Sequence, residues 1–219
     1  MTYGALKTDR PVCYPSGMSV KAPSPQERSA AARARLLAAA GELFYAEGVQ
    51  SVGIDRVIEH AGVAKATLYS AFGSKDGLVR AYLQARHAAT AERMARELEA
   101  RYDTPKERLV GAFEVQGLSF TEPGFRGCAF VSASADAPPG GVVEHAAQDY
   151  RTWLHELFYD LAQQAGAQDA KSLAQQLVLL YDGAGISAWL DRDPSAQTAA
   201  RTMAAAMVEA AIPARTSPR

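Results

Sequence analysis

The chain has 219 residues, 48% of them hydrophobic, a net charge of −1 and two cysteines. That is enough to bury one large core or two small ones. It excludes a disulfide-stapled scaffold, because Cys13 and Cys128 are few and far apart, and it excludes a membrane protein, because no apolar run approaches the roughly 18 residues of a span.

The N-terminus lacks the continuous apolar stretch of a secretory signal, so a cytoplasmic protein with reduced thiols and no membrane partner is expected. The charge is unevenly spread. Residues 1–80 hold ten Lys and Arg against seven Asp and Glu, and residues 81–219 hold thirteen against seventeen. The basic half is the N-terminal one, which is where an anionic partner would be sought.

Residues 1–23 show no periodicity and carry Pro11, Pro15 and Gly17, so they are expected to form a flexible N-terminal arm, with Lys7, Arg10 and Lys21 as its basic groups. From Ser24 onward the chain reads as helix. Ser24, Thr104 and Asp193 each precede a proline, placing an N-cap side chain ahead of Pro at the first helical position. Thr104 and Glu107 also spell a capping box. Breaks fall at Gly48, Gly62, Gly73, Asp103, the Glu122-Pro123-Gly124 turn, residues 137–141, Gly166 and Arg192. No segment alternates with period two, so an all-α fold of about nine helices is predicted.

Leu36, Ala40, Leu43 and Phe44 share one face of the first helix, and Ile54, Val57, Ile58 and Ala61 share one face of the second. Gly62 closes that second helix. A helix of about two turns follows over Lys65 to Phe72, turning Leu68, Ala71 and Phe72 one way and Ala66, Thr67, Tyr69 and Ser70 the other. Two helices across a tight glycine turn, the second short and presenting small polar groups with an aromatic, have the geometry of a helix-turn-helix. Thr67 offers a hydroxyl and a methyl, Ser70 a donor or acceptor, Ala66 a close apolar approach, and Tyr69 a hydroxyl for a phosphate oxygen. Ser74 then caps a fourth helix whose first turn carries Lys75, a natural place for a phosphate.

The stretch AGVAKATLYSAFGSKDGLVRAYL resembles the DNA-binding core of the TetR family of bacterial regulators, whose pattern is roughly A-G-V-S-K-x-T-L-Y-x-x-F-x-S-K-E-x-L. The resemblance runs over about fifty residues. It implies an all-helical homodimer with a DNA-binding domain over 24–80, a long fourth helix, a C-terminal regulatory and dimerisation domain over 81–212 that binds a small molecule, and a tail at 213–219. It assigns Lys65, Thr67, Tyr69 and Lys75 to DNA contact, with Ala66 and Ser70 at variable positions that tune sequence choice. Two positions depart from the family: Ala64 stands where Ser often caps the recognition helix, and Gly53 where Thr or Ser caps the second. Ala is the poorer cap and costs about 1 kcal/mol.

Beyond Arg86 the resemblance is looser. Large residues on inward faces, Tyr82, Phe113, Phe120, Tyr150 and Trp153, are the candidate ligand contacts, with Phe158 beside them; core filling is the competing role for aromatics at helical spacing. Cys128 joins this set because PGFRGCAFVSASAD is small, glycine-flanked and unlike its neighbours; Arg126 beside it would lower the thiol pKa, whereas a buried structural cysteine would be inert. His87, His145 and His155 show no metal-ligand spacing, so no metal or cofactor is expected.

LVLLYDGAGISAWL holds Gly183, Gly185 and Ala188 in the spacing of a dinucleotide-binding turn, G-x-G-x-x-A. Its surroundings are helical, with Leu173, Leu177, Leu180, Tyr181 and Ala184 at helical spacing upstream and an Ala-rich helix downstream, so the required strands are missing. The small residues are better explained by a close helix approach at a dimer interface, with a cavity wall as the competitor. The last two helices, Asp169 to Leu190 and Asp193 to Ala211, are taken as the dimerisation pair, as in the family. The expected function is a transcriptional regulator that binds a roughly palindromic double-stranded operator, a repressor released by an unknown small molecule; a DNA-binding or architectural protein without ligand control is the alternative. No arrangement of nucleophile, base and orienting acid points to an enzyme, and no catalytic residue is assigned.

Overall fold

The computed structural model describes residues 24–212; the N-terminal arm and the 213–219 tail lie outside the described residues. Within them the chain forms nine α-helices and no strand: α1 (Pro25–Glu47), α2 (Ile54–Ala61), α3 (Lys65–Phe72), α4 (Lys75–Arg101), α5 (Pro105–Gly117), α6 (Ala129–Ser134), α7 (Val142–Gln164), α8 (Ala170–Leu190) and α9 (Ala196–Ala211). A short 3-10 turn, Leu118–Thr121, follows α5. The all-α expectation holds. No described helix is long and apolar enough to cross a membrane.

Local side-chain chemistry sets the helix ends. Ser24 Oγ accepts the Glu27 N–H at 3.2 Å, and Glu27 accepts the Ser24 N–H at 2.6 Å, a full capping box at the start of α1. Thr104 and Glu107 do the same for α5. Asp193 takes the Ser195 N–H and hydroxyl at 2.8 and 2.7 Å, so it caps the turn that leads into α9 rather than α9 itself. Gly53 and Ala64 cap α2 and α3 without a side-chain bond. Gly62, at φ +61°, adopts the left-handed conformation that ends α2 and lets α3 leave at a sharp angle.

The hydrophobic faces predicted for α1 and α2 turn inward. Leu36, Ala40, Leu43 and Phe44 are buried with Val57 and Ala61, while Ile54 and Ile58 pack at the margin. Leu68 anchors α3 in this core, and Phe44 meets Tyr82 of α4 edge-on at 5.6 Å. The second half stacks α7 on α8, α8 on α9 and α5 against both α7 and α9, with α4 laid across α5 and α7. Its centre is a ring triad of Phe113, Phe158 and Tyr181 with centroids about 6 Å apart.

Candidate nucleic-acid interface and internal cavity

α2 and α3 are joined through Gly62, and α3 lies against α1 and the first turns of α4. Leu68 faces the core completely, with Ala71 and Phe72 half-buried beside it. The outer side carries Lys65, Ala66, Tyr69 and Ser70, all exposed, with Thr67 and Lys75 half-buried. Phe72 is held from above by the Arg33 guanidinium, 4.8 Å from the ring centroid. All six residues assigned to DNA contact therefore lie on α3 or the opening turn of α4.

Ser74 Oγ accepts the Gly77 N–H at 3.0 Å, and the remaining first-turn amides of α4 lie beside Lys75, a local arrangement suited to an anion. Lys65 is differently engaged. Its Nζ donates to Asp55 Oδ1 of α2 at 2.8 Å, and that hydrogen bond holds the ammonium above its ordinary range. Arg56 pairs bidentately with Glu47, and His60 meets Glu42 at 2.8 Å. Much of the basic character of this region is thus spent within it.

A cavity of about 950 Å³ opens between this unit and the C-terminal helices. Its wall includes Leu37 and Tyr45 of α1, Tyr82, Arg86 and Arg93 of α4, Gln116 of α5, and Tyr181 and Gly185 of α8. Tyr45 bridges the two halves: its hydroxyl accepts the Arg126 N–H at 2.9 Å and donates to the Gly127 carbonyl at 3.0 Å. The Arg86 guanidinium lies over the Tyr45 ring, 4.0 Å from its centroid. This link joins residues 82 apart in sequence, and no local pattern announces it.

Of the aromatic and thiol candidates, Tyr82, Phe120, Cys128 and Tyr150 line the cavity. Phe113 and Phe158 belong to the solid core, and Trp153 packs against His87 and Tyr150 at 5.3 and 5.5 Å rather than facing the space. Tyr150 stacks flat on Phe130 at 4.2 Å. Burial pushes the Cys128 thiol up, which agrees with a buried structural cysteine and not with a thiol lowered by Arg126. No cluster of metal-ligating side chains occurs among the described residues.

The glycines of LVLLYDGAGISAWL divide. Gly183 is exposed with open space beside it, whereas Gly185 faces inward, where a Cβ would stand 3.2 Å from Gln116 Nε2. Gln116 uses that room to reach the Tyr181 carbonyl at 2.8 Å. One glycine serves the outer face and the other the cavity wall.

A sequence profile of the bacterial tetR-family regulatory proteins matches residues 36–82. The solved structure of a TetR-family transcriptional regulator from Streptomyces coelicolor is 32% identical, with a TM-score of 0.78 over 84% of this chain and 97% of that one. The chain belongs to the TetR family. It is accordingly a DNA-binding transcriptional regulator and not an enzyme. A second solved structure, from Streptomyces avermitilis, is 31% identical with a TM-score of 0.72, over 82% of this TetR-family chain and 97% of that one. The HTH-type transcriptional activator FasR of Mycolicibacterium smegmatis is 37% identical over 82 residues, which span 37% of this chain and 37% of FasR.

Proposed function

We propose that this TetR-family protein binds a roughly palindromic operator as a homodimer and represses transcription until a small molecule enters the cavity. The observation that carries this reading is the cavity itself: it has a regulatory wall from α5 to α8 and a second wall from α1 and α4 of the DNA-binding unit. A ligand there meets Tyr45, and through it the helix on which α2 and α3 rest. A small tilt of α4 changes the separation of two recognition helices, and a few ångströms of error loses simultaneous contact with successive major grooves. An open cavity favours this account over a DNA-binding protein without ligand control, for which a filled core would serve.

In this reading residues 24–80 bind DNA and 81–212 regulate. Tyr69 and Lys75 meet phosphates, Thr67, Ala66 and Ser70 meet base edges, and Lys65 exchanges Asp55 for a phosphate. The dimer forms through α8 and α9. Leu179, Gly183, Ile186 and Leu190 make an exposed apolar stripe on α8, and Ala199, Met203, Ala206 and Ala210 make one on α9. Apolar stripes on adjacent helices are what an isologous four-helix interface buries.

Fluorescence anisotropy on the DNA flanking its own gene, at two salt concentrations, tests the reading. Binding should be sequence-selective and salt-sensitive, and Tyr69→Ala and Thr67→Ala should each weaken it by about tenfold. Variants that match wild type on a selected random pool would rule out α3 as the reading helix. Activation is the second reading, favoured by the match to FasR over the DNA-binding part of the chain. Deleting the gene raises operator-driven transcription under the first reading and lowers it under the second.

A further inference from the structure

Among the described residues, two buried side-chain polar atoms lack a hydrogen-bond partner, Arg86 Nε and Gln116 Oε1, and both belong to residues that line the same cavity. Proteins rarely leave such atoms unmet without a reason. Gln116 is 9% exposed, and its amide is fixed by the bond from Nε2 to the Tyr181 carbonyl, which leaves Oε1 as an acceptor without a donor. Arg86 rests on the Tyr45 ring and forms no ion pair within the described residues.

The other charges around the cavity are differently placed. Arg93 is paired with Glu122 at 3.0 Å and Arg96 with Glu97 at 3.1 Å. Glu42 meets His60, Asp182 meets Arg151 at 2.5 Å, and Glu92 is exposed to water. The cavity therefore presents one uncompensated guanidinium, one open amide acceptor and an apolar surface of Phe120, Phe130, Tyr150 and Trp189. A guanidinium fork matches a carboxylate through two parallel N–H donors. At Arg86 a cation would be repelled, a neutral ligand would leave the guanidinium without a counterion, and a phosphate would demand a second cation where Arg93 and Arg96 are already paired.

We infer that the cavity takes a monocarboxylic acid with an apolar body and a hydroxyl or N–H donor: the carboxylate on Arg86, the donor on Gln116 Oε1, the body against the rings. This rests on the reading of the cavity as the ligand site. The guanidinium stacked on Tyr45 keeps its N–H donors in its own plane, so the side chain that takes the carboxylate is also the one that rests on α1.

Isothermal titration calorimetry on the full chain tests it, with decanoate and 6-hydroxy-2-naphthoate, each beside its methyl ester, and 2-naphthoate as the hydroxyl-free control. At least one acid should bind about tenfold more tightly than its ester. Arg86→Gln should erase that preference, while Arg93→Gln keeps it, and Gln116→Leu should erase any preference for 6-hydroxy-2-naphthoate over 2-naphthoate. Should Arg86→Gln fail to fold, Arg86→Lys, which keeps the charge without the fork, must still reduce the preference. Esters binding as well as acids would overturn carboxylate recognition and leave the ligand site standing. An acid preference that survives in Arg86→Gln would overturn the role of Arg86. Failure of every acid to saturate by about 1 mM would overturn the monocarboxylate assignment and leave the ligand-site reading standing.

Discussion

Replacing Gly77 by Ala sets two physical effects against each other with opposite signs. On helix propensity alone the substitution is favourable by about 1 kcal/mol, because Gly77 lies in the first turn of a 27-residue helix. The structure reverses that expectation. A Cβ at Gly77 overlaps the carbonyl oxygen of Phe72 and stands 3.1 Å from the carbonyl carbon and 3.7 Å from Cα. The obstruction is backbone at the end of α3, so no side-chain rotation relieves it, and α3 must move off α4 by about 1.5 Å to restore ordinary contact. Overpacking of this kind costs about 1–3 kcal/mol. With the propensity gain subtracted, a net destabilisation of up to about 2 kcal/mol remains, or up to roughly 8 °C in Tm for a chain of this size. The displaced helix is the one carrying Tyr69 and Thr67, so operator affinity should fall by at least about tenfold, beyond what lost stability explains. Urea unfolding and anisotropy on the same preparation read both quantities. A variant that melts higher than wild type and binds DNA equally well would refute the close approach of α3 and α4.

Three further substitutions probe other links. Tyr45→Phe removes the hydroxyl that joins α1 to the Arg126–Gly127 backbone, which should cost about 1–2 kcal/mol in urea unfolding with helix content unchanged. Under the proposed mechanism the same variant should need more ligand for the same release from DNA, since α1 loses its tie to the 126–127 backbone while the ring under Arg86 stays. Leu179 is 71% exposed on α8, so Leu179→Arg should leave the fold intact while shifting the dimer to monomer in light scattering, the symmetry placing two arginines in one apolar interface. Glu107 is held below its ordinary value of 4.5 by hydrogen bonds from the Thr104 hydroxyl and N–H. A depressed folded-state pKa contributes stability above about 4.5 that is lost as pH falls through the folded value. Glu107→Gln should therefore melt below wild type near neutrality, with the gap closing on acidification.

The parts of this fold legible in sequence are those decided within a few residues. Ser24 ahead of Pro25, the Thr104–Glu107 pair, Gly62 in the left-handed region and Ser74 at the start of α4 all act across three or four positions, and each helix end falls within a few residues of its expected place. The exposed side of α3 was legible for the same reason, since a helix eight residues long has one face to bury and Leu68 marks it. Charge was the poorer guide. Within residues 24–80 there are seven Lys and Arg against six Asp and Glu, and Arg56 and Lys65 are tied to Glu47 and Asp55. The basic excess lies chiefly in Lys7, Arg10 and Lys21, outside the described residues.

What sequence could not resolve is which buried face meets protein and which meets empty space. Tyr82, Phe120 and Tyr150 line the cavity while Phe113, Phe158 and Trp153 do not, yet all six recur at helical spacing, because periodicity reports that a side chain turns inward and carries no information about what awaits it. The two glycines of α8 make the same point more sharply. Two residues apart, they lie about 200° around the helix from one another, so a single explanation for both was geometrically excluded from the start. Gly183 opens onto the exposed stripe of Leu179, Ile186 and Leu190, where a second helix can approach. Gly185 makes room for Gln116, whose unpaired oxygen is half of the polar demand inside the cavity. A motif that resembled one binding turn thus lies on two surfaces of one helix, and under the proposed dimer and ligand site substituting each glycine separately should affect assembly and ligand recognition one at a time.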